Sequence, residues 1–559
     1  MQSSFKLPIE YTTHSELDEN IVDNIDLLER RDNISVIRKI YNPKTPHGEL
    51  IGSKNIKLFT TDVKYLKDTQ LLLKETDFSL EQNEIDNYFQ FNEKWSNFLN
   101  ETSFNDKYHF IDMESFKFLN KNSYFLQAIS LQNLLSPIIY ILSPLLMLLV
   151  PFMVLHMKGI NISFESYLFY FKEVAKSNSL FKIFLNFNEL NPSEKTLAGV
   201  QCFFYVFSIY NGIMTAIKFY KNIIQIQDFF KCMKSYLNKS IKKLSTYNKN
   251  VTQKSYKKFV QTNKDCLTLL EKISGDLDKL RYLDFEMNSL SELGLYMQLF
   301  YGIFNNDEIK YSIQYSLEFW GYLDFMDGIK QNIVEKKMNK CKFTKKKIKN
   351  YLKKIYYPIH IDDKYVSNDV TLGNNLIISG PNASGKTTIL KSVLLNMIFC
   401  QSFGYGCFKE ACIQPVDFFH CYLNIPDTSG RDSLFQAEAR RCKEILDKAK
   451  KYSTMKHLCI IDELFSGTNP EEAKESACAF MNYIEEQTNI NVFLTTHYIE
   501  ICKTLDNNKK IKNFNMNTEM INEKLKFKYK LVPGISNIKS GKYILGKMNY
   551  PEEILNNFK

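Results

Sequence analysis

The stretch "NLIISGPNASGKTTILKSVLLNMIF", residues 375–399, decides how the C-terminal part of the chain folds. Four apolar or small residues ahead of Gly380 read as a buried strand, and the run after Lys386 reads as an apolar helix. Between them, Gly380 to Thr387 fits G-x-x-x-x-G-K-[ST]. Glycines in such a turn let backbone N–H groups face inward around phosphates, and the helix start adds its positive end. The pattern predicts a nucleoside triphosphate site, ATP or GTP, cradled by Gly380, Pro381, Asn382, Ala383, Ser384, Gly385, Lys386, Thr387 and Thr388. Lys386 would bridge the β- and γ-phosphates, and Thr387 would hold Mg²⁺.

Downstream, "HLCIIDELFSGTNPEEA" (457–473) supplies a second apolar strand that ends in Asp462 and Glu463. An acid there orients the shell of a bound metal ion, and its neighbour polarises the attacking water, so Asp462 is assigned to metal and Glu463 to catalysis. Asn469, Pro470 and Glu472 announce the next helix as N-cap, first position and capping acid. A third strand, "NVFLTTH" (491–497), ends in His497, placed to hydrogen-bond the γ-phosphate. Between these blocks, "PDTSGRDSLFQAEARRCKEIL" (426–446) carries Ser433 and Gln436 at capping-box spacing. A second phosphate-seeking helix start beside a complete phosphate loop points to a site shared between two subunits, with Ser433 acting in trans.

The rest of the 559 residues is of a different texture. Apolar content of 44% and charged content of 24% suit a folded chain of several domains, and the formal charge is +10. The twelve cysteines include no C-x-x-C pair; Cys400, Cys407, Cys412 and Cys421 fit no familiar zinc spacing and read as buried reduced thiols. Residues 1–121 are mixed and partly helical in period. No Asp, Glu, Lys or Arg lies between Lys121 and Lys158, and residues 134–155 ("LLSPIIYILSPLLMLLVPFMVL") are long enough for one membrane crossing. Pro137, Pro144 and Pro151 would disrupt a helix in water, but a membrane helix tolerates them better. Residues 196–217 form a second uncharged stretch of sufficient length. The alternative is a buried helix pair in a soluble domain.

If both stretches cross, the two chain ends share one side, and the lysines between Lys218 and Lys258, with Asp228 the only acid among them, place that side in the cytosol. Asn161-Ile162-Ser163 would then be a glycosylation triplet on the far side, though such triplets also arise by chance. Amphipathic helical period runs from about 222 to 335. A second basic run, "EKKMNKCKFTKKKIKNYLKK" (335–354), follows, and the α/β texture begins near Tyr356.

Taken in order, "GPNASGKTT", "PVD" (415–417), "SGRDSLFQAEARRCKEIL", "IIDELFSGTNPEE", "TTHY" and "LVPGISNIKSGKYILGKMNYPEEIL" (531–555) resemble the ATPase domain of the MutS-type DNA mismatch-repair family. Weaker likenesses are "EFWGYLDFMDGI" (318–329) and "NPKTPHGELIG" (42–52). The resemblance implies an α/β P-loop ATPase domain of ABC type over 356–559, preceded by an all-α core and lever region. The expected organisation is a core segment 1–121, a hydrophobic hairpin 122–217 and lysine-rich lever helices 218–355. It further implies ATP and Mg²⁺ as ligands and a homodimer or a MutS-like heterodimer. Each site would join Lys386, Asp462, Glu463 and His497 to the partner's Ser433, and DNA would lie between moving helical arms. Too few residues precede "NPKTPHGEL" for the family's mismatch-reading domain, so a membrane-tethered mechanochemical ATPase without mismatch recognition stands as the alternative, its catalytic domain facing the cytosol. A soluble protein at sites of DNA replication or repair is the other expected location, and a non-hydrolysing structural subunit is a third reading, which the Asp462–Glu463 pair opposes.

Overall fold

The computed structural model describes residues 5–28, 35–157, 159, 163–177, 191–281, 290–345, 350–423, 433–521, 524–538 and 541–557. Asn161 and Ile162 of the acceptor triplet, residues 346–349 of the second lysine run and residues 424–432 ahead of Ser433 lie outside them. The chain divides into two compact units, one of residues 86–242 and 267–314, the other of 1–85, 243–266 and 315–559.

The first unit is helical. Its core is aromatic: Phe91 stacks on Tyr236 at 4.1 Å, and Trp95 lies 5.1 Å from Phe304. Helix α1, Ser123–Met157, lies wholly within the first uncharged stretch, and helix α2, Pro192–Asn250, carries the second and extends well beyond it. They pack on each other where Gly212 lies under the Tyr140 ring; a Cβ at Gly212 would come within 2.5 Å of it.

Three proline positions leave α1 helical, and two of them have a visible reason. Proline supplies no N–H to the carbonyl four residues back. The serine preceding each proline takes its place: Ser136 Oγ donates to the Asn133 carbonyl and Ser143 Oγ to the Tyr140 carbonyl, both at 2.8 Å. Ser136 also reaches the Gly212 carbonyl at 2.9 Å, and Tyr205 donates across the helix pair to Ile141. The outward faces are uncovered: Ile138 is 54% exposed, Phe203 66% and Phe204 61%. Among the described residues nothing covers those side chains.

The second unit brings together two segments far apart in sequence, 41–48 and 321–328. Asp324 is buried and accepts from Lys44 N–H, Thr45 N–H and Thr45 Oγ1, and Lys44 pairs with Asp327 at 2.8 Å. Burial pushes the Asp324 carboxyl up, and those donors oppose it. Gly328 allows the closest approach: a Cβ there would meet the Tyr41 carbonyl oxygen at 1.8 Å. Since backbone cannot yield as a side chain does, Gly328→Ala is expected to cost about 3 kcal/mol in urea unfolding.

Two sheets follow. Residues 335–354 were placed above in the helical region; instead Asn339–Phe343 and Tyr351–Ile355 are strands of a five-stranded sheet. The reason is alternation: Cys341 and Leu352 point inward while Lys340, Lys342 and Lys353 face out.

The second sheet carries the site. Its strands are β1 (Asn375–Ser379), β2 (Phe418–Tyr422), β3 (His457–Asp462), β4 (Ile490–Thr496), β5 (Ile511–Ile521) and β6 (Lys524–Pro533), in the order β6-β5-β1-β4-β3-β2. All neighbours are parallel except the β5–β6 pair. Helix α3 (Lys386–Ser402) follows β1, α4 (Leu434–Lys451) joins β2 to β3, and α5 (Pro470–Glu486) joins β3 to β4. Apolar residues of α4 and α5, Ile445, Ala477 and Met481 among them, pack on Ile377, Ile461 and Leu494 of the sheet. Strands buried on both faces explain why the sequence reads as unbroken apolar runs.

Candidate functional site

In open parallel sheets, ligands bind beyond the carboxyl ends of the strands, where the connections diverge. Here β1 ends in the glycine loop, β3 in Asp462 and β4 in Thr495–Thr496, followed by His497. Register places Asp462 beside Thr495 and Ser379 beside Thr496.

The loop requires unusual backbone. Gly380 has φ 155°, Gly385 φ 95° and Ala383 φ 64°. Gly385 sits immediately before α3, whose first N–H groups have no intrahelical partners. Ser384 Oγ is buried with no hydrogen-bond partner, an orphan polar atom that a bound oxygen ligand would satisfy. The Lys386 ammonium is buried and folds over the loop, donating to the carbonyls of Gly380 at 3.0 Å and Pro381 at 3.3 Å and to Asn382 Oδ1 at 3.4 Å. Thr388 begins the wall of a neighbouring pocket.

The acidic pair divides its contacts. Asp462 accepts from Thr387 Oγ1 at 2.6 Å and from Thr495 Oγ1, which fixes its carboxylate against both neighbouring elements. Glu463 has φ 52°, and its N–H donates to the Thr495 carbonyl at 3.1 Å. A non-glycine residue at positive φ is strained, and such strain gathers at functional sites. Glu463 Oε1 lies 3.6 Å from both Lys386 Nζ and His497 Nδ1. These are ion-pair distances, too long for closed hydrogen bonds. The structure thus brings Lys386, Thr387, Asp462, Glu463 and His497 into one cluster.

His497 first, and then Lys386, hold the Glu463 carboxyl below its ordinary 4.5, against partial burial. A depressed value means the ionised form is favoured in the fold. Its contribution is fully present above pH 4.5 and is lost as pH falls through the lower folded value. His497→Ala should therefore raise the pH at which Glu463 takes up a proton in the nucleotide-free chain. An NMR titration of the Glu463 carboxyl without nucleotide measures it.

Ser433 stands at the start of α4. Both capping-box bonds are present: Ser433 Oγ accepts from Gln436 N–H at 3.3 Å, and Ser433 N–H donates to Gln436 Oε1 at 3.1 Å. Among the described residues no contact joins Ser433 to the Lys386 cluster.

Two cavities flank the loop. One of about 560 Å³ is lined by Gly380, Pro381, Asn382, His497, Tyr498 and Ser536. The other, about 270 Å³, lies against Gly385 and Thr388 and is walled by Tyr357, His360, Tyr365 and Tyr529. No motif announced that aromatic wall, whose members come from distant segments. Thr495 was also missed, although the paired threonines ahead of His497 were visible. Of the four cysteines considered for zinc, Cys400, Cys407 and Cys421 are buried and Cys412 is partly so; burial pushes the Cys407 and Cys421 thiols up to about 12.

A family model for MutS domain V matches residues 376–559. The chain is 29% identical over 198 residues to a DNA mismatch repair protein MutS of Prochlorococcus marinus (strain AS9601), covering 35% of this chain and 21% of that protein. It is 30% identical over 201 residues to that of Caldanaerobacter subterraneus subsp. tengcongensis (35% and 22%), and 30% over 205 residues to that of Parabacteroides distasonis (35% and 23%). The match spans about a fifth of the length of these curated relatives. The C-terminal third of the chain, residues 376–559, is thus similar to MutS domain V of the DNA mismatch repair proteins.

Proposed function

We propose that the chain hydrolyses ATP between two copies of its C-terminal unit and uses the cycle to open and close helical arms. The observation that carries this reading is the gathering of Lys386, Thr387, Asp462, Glu463 and His497 at the ends of β1, β3 and β4. Thr387 Oγ1 and the Asp462 carboxylate fit the one or two oxygen ligands that Mg²⁺ takes from protein beside phosphates and water. When bound, Mg²⁺ supplies charge neutralisation at the phosphates.

The chain's own groups do the rest. Lys386 exchanges the loop carbonyls for phosphate oxygens, which frees Glu463 from its cation. Glu463 accepts a proton from the attacking water, and His497, on its other side, holds that carboxylate ionised and reaches the terminal phosphate. The aromatic-walled pocket beside Gly385 takes the base. Ser433 and the start of α4 close the partner's site. Ser433→Ala is accordingly expected to leave ATP binding to one chain intact and to weaken ATP-dependent dimerisation about tenfold. An unchanged dimer by light scattering contradicts the shared site.

The relatives are named for DNA mismatch repair, and DNA is the proposed partner of the arms. Six lysine–phosphate contacts would give a log–log salt slope of about −5 on duplex DNA. Equal filter binding to homoduplex, mismatched and branched DNA would eliminate selective recognition.

A second reading concerns location. The exposed apolar faces of α1 and α2, together with serines that satisfy the carbonyls freed by proline, favour a hairpin within a bilayer. The lysines after residue 218 then place the catalytic unit on the cytosolic side.

A further inference from the structure

One buried carboxylate takes no part in the site as described. Glu438, in the second turn of α4, is only 2% exposed. Its Oε1 accepts from Ser466 N–H at 3.2 Å and Ser466 Oγ at 3.0 Å, and its Oε2 from Gly467 N–H at 3.3 Å. Ser466 and Gly467 lie on the loop that leaves Glu463, past Phe465, itself at φ 57°. That loop is pressed under the first turn of α4: a Cβ on Gly467 would sit 2.7 Å from Phe435 N and 2.8 Å from the Leu434 side chain. The Phe435 and Phe465 rings meet at 5.5 Å. Ser433, whose hydroxyl caps this same turn, is therefore held to the segment that follows Glu463.

Resting on the shared-site reading above, we propose that Glu438 is the positioning residue through which each chain's own ATP site controls its grip on the partner's ATP. Movement of the loop after Glu463 is carried by the two Glu438 oxygens into the first turn of α4, and so to Ser433. Three donors on one carboxylate make the link stiff, and releasing them would cost a buried carboxylate the hydrogen bonds that hold it. Glutamine cannot replace it: its amide group would face the Gly467 N–H donor to donor.

The test uses mixed dimers of full-length chains carrying two different tags. One chain carries Glu463→Gln, so that its site retains uncleaved ATP, and the other is unmodified. Retained ATP keeps Ser433 of the first chain engaged, and the intact site is expected to turn over about fivefold more slowly than in the unmodified dimer. Adding Glu438→Gln to the Glu463→Gln chain should abolish the slowing, so that the intact site turns over at the rate seen when the first chain carries Glu438→Gln alone, with ATP binding to either chain unchanged. Ser466→Ala, which removes one of the three bonds and leaves the carboxylate held, should relieve the slowing in part. If the slowing persists with both substitutions, or never occurs without them, the link is refuted. A chain that neither dimerises nor releases phosphate when unmodified refutes the shared-site reading itself, a result visible before any substitution is made.

Discussion

Glu463→Gln is expected to bind ATP as the unmodified chain does and to release phosphate about 10³-fold more slowly, within the range of a general base. The substitution keeps shape and removes charge. Lys386, at 3.6 Å, loses its counter-ion, but its carbonyl acceptors on Gly380 and Pro381 remain, so the loop keeps its form. The backbone bond from residue 463 to the Thr495 carbonyl is also untouched. What disappears is the group able to take a proton from water, held ionised by His497. A filter assay for bound ATP and a single-turnover assay for phosphate separate the two effects. Turnover at the unmodified rate would show that the proton goes elsewhere.

The second large effect is on membrane association. The unmodified chain should resist carbonate extraction and sediment wholly with membranes. The pair Ile141→Arg and Phe204→Arg should release it, because an arginine towards the centre of a membrane helix costs about 3 kcal/mol on insertion scales and two are introduced. Both positions are more than half exposed. On a water-soluble fold, charges at exposed positions away from special features shift stability by only about 0.5 kcal/mol. A carbonate-soluble unmodified chain, or a variant that still sediments, removes the hairpin.

Local chemistry was the most legible part of the sequence. The capping box at Ser433, the Asn469 cap bonded to Glu471 and Glu472 N–H groups, and the buried strands before Gly380 and Asp462 each depend on a few neighbouring residues. Contacts between distant segments were not legible. Nothing near Asp324 signals that it holds the backbone of Lys44 and Thr45, and nothing near Glu438 signals Ser466. The lysine run at 335–354 suggested solvated helix, because charge dominates its composition. Its inward positions, Cys341 and Leu352, are few, and the lysines next to them, Lys340, Lys342 and Lys353, face out as a strand requires. The aromatic pocket gathers side chains from both sides of the glycine loop, an arrangement that only the fold creates.

The central claim is that two chains share each triphosphate. Light scattering on the Glu463→Gln chain, in the detergent that solubilises it and with saturating ATP and Mg²⁺, tests this most directly. The account predicts the mass of two chains with nucleotide and of one without it. A single-chain mass at saturating ATP, with nucleotide bound, would contradict it.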